Sequence, residues 1–95
     1  MTYVVWATWK ARPGEESAVL ELLRRVSAAS TQEQDCLVFQ VHRSVTEPGL
    51  FFLYEQYESE AAFQTHAATN HVRDLILGDA VHRLESRRRE LYETV

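Results

Sequence analysis

Cysteine is nearly absent: Cys36 is the one thiol in 95 residues. A lone cysteine excludes an internal disulfide and fits a reducing, cytoplasmic compartment. Three glycines and two prolines leave no linker, low-complexity segment or internal repeat. No window approaches 18 consecutive apolar residues, so no membrane-spanning helix is expected. The opening stretch MTYVVWATWKARPGEE lacks a charged region ahead of an apolar run and a small-residue cleavage site, so no secretory leader is expected there. Excess positive charge is also missing. The net charge is -4, which argues against a nucleic-acid partner, since such a partner calls for a basic face. The one basic run, Arg87-Arg88-Arg89, is set among Glu85, Glu90 and Glu93. There is no glycine-rich phosphate loop and no flavin or nicotinamide fingerprint, so no cofactor is expected. His42 and His82 lack partners at metal-ligand spacing, and His66 and His71 stand five apart across an expected helix break. No metal site follows from such spacings.

What is present makes one domain over residues 1–95, with a modest core. Residues 2–11, TYVVWATWKA, are β-branched and aromatic and predict a strand. Alternation puts Tyr3, Val5, Ala7 and Trp9 on one face, with Val4, Trp6, Thr8 and Lys10 on the other. Pro13-Gly14 signals a turn. Val19, Leu22, Leu23 and Val26 then fall at i, i+3, i+4 and i+7 in a helix over about 15–29. STQEQD at 30–35 is a polar stop. Strands are expected at about 37–43 and 51–57, joined as a hairpin through the turn SVTEPG. In the first of these, Leu37, Phe39 and Val41 alternate with Val38, Gln40 and His42. Ser59 is an N-cap for a helix carrying Ala61, Ala62, Phe63, His66 and Ala67. Thr69 is the next cap candidate, followed by Val72, Leu75 and Ile76, with Gly78 as a stop. Residues 79–85 suit a helical continuation anchored by Val81 and Leu84. The tail at 88–95 alternates as a fourth strand.

The order is β-α-β-β-α-β, the ferredoxin-like plan of the α+β class, with helices on one face of a four-stranded antiparallel sheet. The other sheet face would then display Trp6, Phe52 and Tyr54, or their alternates on the same strands. A bare apolar face of that kind needs a cover. The simplest cover is a second copy, giving a homodimer packed sheet to sheet.

The stretch from Leu50 to His71 holds the densest group of titratable and aromatic side chains: Glu55, Tyr57, His66 and His71. His66 shares a helix face with Ala62 and Phe63 and is directed at the sheet. His71 lies in the first turn after Thr69, where the helix dipole favours a neutral imidazole. Glu55 sits mid-strand among apolar residues, where burial raises a carboxyl pKa unless a cation such as Arg43 or Arg88 pairs with it. A structural ion pair is the expectation for Glu55. Tyr57 can offer its hydroxyl to a substrate oxyanion. Trp9, on the Ala7 face, is expected to line any pocket. Cys36 is expected to act as a small buried hydrophobe rather than a nucleophile.

Pro13-Gly14-Glu15, CLVFQVHRS at 36–44, LYEQYESEAAFQTH at 53–66, the T-x-H at 69–71 and LESR…LYETV at 84–95 together resemble the antibiotic biosynthesis monooxygenase family of the dimeric α+β-barrel superfamily. The likeness spans nearly the whole chain and is greatest to small quinol-monooxygenase-like members. It implies a ferredoxin-like dimer with a pocket in each subunit between sheet and helices. It also implies cofactor-free oxidation of a quinol or polycyclic phenol, a small aromatic substrate, by molecular oxygen. Other branches degrade haem or isomerise a signalling molecule. Where the haem-degrading branch uses an Asn on the first strand and a Trp at the end of the third, this chain has Ala7 and Tyr57, which argues against haem degradation.

Carried over by position, the pocket faces Glu55, Tyr57, His66 and His71, with Ala7, Trp9 and Phe63 as further substrate contacts. His66 or His71 would remove a phenolic proton, and Tyr57 would hold the oxyanion. Two other classes use the same residues. An isomerase would need the bases without oxygen, and a non-catalytic module would bind an aromatic ligand and release no product.

Overall fold

The computed structural model describes residues 1–95. The chain runs β1 (Tyr3–Ala11), α1 (Glu16–Ser30), β2 (Cys36–Arg43), β3 (Leu50–Tyr57), α2 (Glu60–Ala67), a π-helical turn (Val72–Leu77), a 3-10 turn (Ala80–Arg83) and β4 (Leu84–Glu93). The strands form one antiparallel sheet in the order β2-β3-β1-β4. This is the expected ferredoxin-like α+β arrangement. No helix is long and apolar enough to cross a membrane.

The amphipathic stripe of α1 anchors the covered face. Val19, Leu22, Leu23 and Val26 are buried and pack on Ala7, Trp9, Ala11, Phe51 and Leu53. Each such aliphatic side chain contributes about 1.5–3 kcal/mol through burial. The hairpin turn closes at Gly49, whose φ of +78° is left-handed. Its carbonyl accepts the Ala11 N–H at 2.8 Å, which ties the hairpin to the end of β1.

Two local expectations give way to the sheet. Alternation places Leu37 with Phe39 and Val41. Instead, the β2–β3 register shifts between Cys36 and Val38, and Leu37 is left 44% exposed. A bulge adds one residue to one strand and resets the faces after it. The last strand begins at Leu84 rather than near residue 88. The stretch 79–85 has helical spacing, but only its first part coils. From Leu84 onward the chain is captured by β1, with Ala11 opposite Leu84 and, after a register shift, Lys10 opposite Ser86. Pairing with a central strand outweighs a short helical pattern.

The sheet's other face has no helix on it. There Trp6 is 48% exposed and its ring lies 4.5 Å from that of Phe52. His42 stacks on the far side of the same patch, 4.9 Å from Phe52.

Candidate active site

The site is assembled from the loop after α1, the last turn of α2 and the centre of β3. Ser59 caps α2 in extended backbone, and its Oγ accepts the Ala62 N–H at 3.1 Å. This fixes the phase of the helix, so Ala62, Phe63 and His66 turn to the sheet and are buried. The His66 ring lies among aromatics, 5.1 Å from Tyr57 and 5.8 Å from Phe39.

Glu33 arrives from the loop after α1. Successive backbone bonds hold that loop: Glu33 N–H to Ser30 O at 3.1 Å and Cys36 N–H to Glu33 O at 3.2 Å. Its Oε2 lies 2.8 Å from His66 Nδ1 and 2.7 Å from His71 Nε2. A carboxylate only accepts, so both ring nitrogens donate to it. With its proton on Nδ1, neutral His66 carries its lone pair on Nε2. That nitrogen lies 3.9 Å from Glu55 Oε1, beyond hydrogen-bond reach. Burial lowers the His66 pKa and outweighs the opposing pull of Glu33.

Glu55 is 6% exposed, and its Oε1 accepts the Tyr57 hydroxyl at 2.6 Å. Burial raises its pKa to about 7, against the lowering effects of the Tyr57 hydrogen bond and of Arg89. Arg43 and Arg88 are therefore not its partners. Arg88 is bonded to Glu90 at 3.1 Å, and the cation acting on Glu55 is Arg89. Burial also drives the Tyr57 pKa up, with the adjoining Glu55 charge adding to it. Cys36 rises to about 11 through burial and the nearby Glu33 and Glu55 charges. Its thiol stays protonated and is a poor nucleophile.

A cavity of about 410 Å³ opens between the sheet and the helical layer. Ala7, Trp9, Leu53, Glu55, Phe63 and His66 line it, with Val72 and Ile76 of the π-helical turn as the opposite wall. Arg87, Arg88 and Arg89 close the β4 side. The volume suits a small ligand of a few rings. Tyr57 and His71 are absent from this lining. Tyr57 is fully buried behind Glu55, and its only proton is committed to that carboxylate. His71 reaches the site only through Glu33, and Ser30 Oγ lies 3.5 Å from its Nε2.

Glu33, His66 and His71 are the one grouping with a metal-type donor set, their atoms lying within 4.8 Å of one another. Spacing along the chain gives no hint of this convergence. The fit to a cation is poor: ligands on a tetrahedral zinc sit roughly 3.3 Å apart, whereas the two contacts to Glu33 are 2.8 and 2.7 Å. These are hydrogen-bond distances, and the arrangement is complete as a hydrogen-bonded cluster.

A family model described as antibiotic biosynthesis monooxygenase matches residues 2–76. The chain belongs to this family. No curated protein matches it significantly, but solved structures agree with the family's fold. A structure described as an antibiotic biosynthesis monooxygenase is 26% identical, with 100% of this chain and 99% of that one covered and a TM-score of 0.90. PA3566 of Pseudomonas aeruginosa is 27% identical over 99% and 94% of the two chains, with a TM-score of 0.88. Rv0793 of Mycobacterium tuberculosis, 21% identical over 100% and 96%, has a TM-score of 0.92 and shows likeness of fold alone.

Within this member of the antibiotic biosynthesis monooxygenase family, sequence reasoning reaches His66, Glu55, Trp9, Ala7 and Phe63. It misses Glu33, which lies in a polar loop beside Gln32 and Gln34 and carries no pattern that separates it from its neighbours. It also passes over Arg89, whose run looked neutralised by adjacent glutamates. Strand alternation is the signal that could have found it, because it places every second residue of a strand on the cavity face.

Proposed function

We propose that this chain is a cofactor-independent monooxygenase that oxidises a quinol or polycyclic phenol with molecular oxygen. Family membership supports monooxygenase activity as a class. The observation that carries the finer assignment is His66, with Nδ1 tied to Glu33 at 2.8 Å and its ring in the wall of an apolar cavity.

Triplet oxygen reacts slowly with closed-shell organic molecules, so the substrate needs to be made a better electron donor. His66 Nε2 takes the phenolic proton. The phenolate gives one electron to oxygen, and the resulting phenoxyl radical and superoxide combine as a carbon-bound peroxide. Loss of water, with its proton supplied by Glu55, leaves a quinone. One oxygen atom enters the product, the other leaves as water, and the substrate supplies every electron. A carboxyl with a pKa of about 7 is protonated often enough at neutral pH to serve as that acid. Tyr57 holds Glu55 in place, and Glu33 holds His66.

The family resemblance and the uncovered aromatic face support a working homodimer, joined sheet to sheet through Trp6, Phe52 and their neighbours.

Oxygen uptake by metal-free, flavin-free protein tests the assignment, with hydroquinones and anthrone-like phenols as substrates and autoxidation as the control. Uptake above autoxidation that falls in His66→Ala is the expected result. Undiminished uptake in that variant would remove His66 as the base. One observation favours a second reading: Glu55 and His66 face one cavity 3.9 Å apart, the pairing a proton shift between two substrate atoms needs. Product formed under strict anaerobiosis would establish that isomerase in place of the oxygenase.

A further inference from the structure

Strand alternation puts Arg87 and Arg89 on the cavity face of β4, Arg87 opposite Trp9 and Arg89 opposite Ala7. Neither makes an ion pair, whereas Arg88 between them is bonded to Glu90 on the strand. The Arg89 guanidinium stands 5.5 Å from the centre of the Phe63 ring, a cation–π position that steadies it and leaves N–H donors free. The one acidic residue in the cavity lining is Glu55, and it is already engaged by Tyr57. The cavity therefore presents more positive than negative charge to a ligand.

β3 carries Glu55, β1 lies between, and β4 carries the arginines. Two strand spacings, roughly 10 Å, separate the proton-handling side from the guanidinium side. A fused aromatic ring system fits across that gap between Leu53, Trp9 and Phe63. We propose that the substrate is a hydroxyaryl carboxylate, whose carboxylate is held by Arg89 and Arg87 on the β4 side while its hydroxyl meets His66. Guanidinium groups suit a planar carboxylate because they bind it through paired N–H donors. The placement of the hydroxyl rests on the function proposed above; the placement of the carboxylate does not.

Calorimetric binding of two matched probes tests this, 6-hydroxy-2-naphthoate against neutral 2-naphthol, in wild-type protein and in an Arg87→Gln/Arg89→Gln double variant. The wild type is expected to bind the carboxylate at least about tenfold more tightly at low salt, with the advantage shrinking as salt is added. In the double variant the advantage of the carboxylate over 2-naphthol falls below about twofold. An Arg89→Lys variant keeps the charge without the fork, so it keeps part of the advantage. Equal wild-type affinities, an advantage that survives the double substitution, or no binding of either probe would overturn the proposal. An arginine-dependent advantage without oxidation of either probe would support the carboxylate site and count against the oxygenase alone.

Discussion

His66 stands between two carboxylates, and each pulls it toward a different task. Glu33 fixes its tautomer through Nδ1, and Glu55 faces Nε2 across 3.9 Å. His66→Ala is expected to lower kcat by about 10²–10⁴ if the ring is the base. Glu33→Gln is a test of positioning. It should lower kcat/KM at least about tenfold and move the acid limb of the pH profile to lower pH. The direction follows because the Glu33 charge raises the His66 pKa. An unmoved limb would leave Glu33 as a loop anchor.

Glu55 gives a stability prediction that does not require turnover. Its pKa rises from the ordinary 4.5 to about 7 in the folded chain. Below pH 4.5 both folded and unfolded forms are protonated and there is no penalty. Between pH 4.5 and about 7 the unfolded form releases its proton and the folded form keeps it, so stability falls as pH rises. The full loss, reached above pH 7, is about 3 kcal/mol. Lowering of the His66 pKa acts the other way, removing stability as pH falls below its ordinary range. Denaturant melts of Glu55→Gln beside the wild type isolate the first effect. The variant is expected to gain on the wild type as pH rises from 5 to 8, and a constant difference would refute the buried-carboxyl account.

At the scale of elements, α2 transmits its cap to the site. Ser59→Ala removes the bond to the Ala62 N–H and should cost about 1 kcal/mol of stability. Activity should fall by more than stability alone explains, because a frayed first turn also loosens the phase that points His66 at the sheet. Leu23→Ala on α1 differs in kind. It empties a fully buried core position and should cost about 2–5 kcal/mol. Its effect on kcat in the surviving folded fraction should be small, since Leu23 does not line the cavity. Chemical denaturation paired with oxygen uptake separates the two behaviours.

For the whole molecule, the uncovered sheet face decides assembly. Trp6 is 48% exposed in the single chain and packs on Phe52. If that face is the dimer interface, Trp6→Glu places a charge in its centre. Sedimentation velocity should then show the wild type as a dimer and the variant as a monomer. A wild-type monomer at micromolar concentration would refute sheet-to-sheet pairing.

The order of elements, the covered face of α1 and the sharing of one strand face by Ala7 and Trp9 were legible in the sequence; the β1–β3 register brings Glu55 to that same side. Periodicities of 3.6 and 2 are local, and burial on one face writes them into the residue order. The Ser59 cap and the inward face of His66 were legible for the same reason. Four features depended on tertiary structure: the bulge at Leu37, the early start of β4, the convergence of His66 and His71 on Glu33, and the commitment of the Tyr57 hydroxyl to Glu55. The first three depend on a partner distant in sequence or on the register of a neighbouring strand; the last joins residues two apart on β3 and depends on the burial of both side chains. A loop glutamate looks the same in the sequence whether it faces water or two histidines, and only the closed fold brings those rings within 3 Å of it.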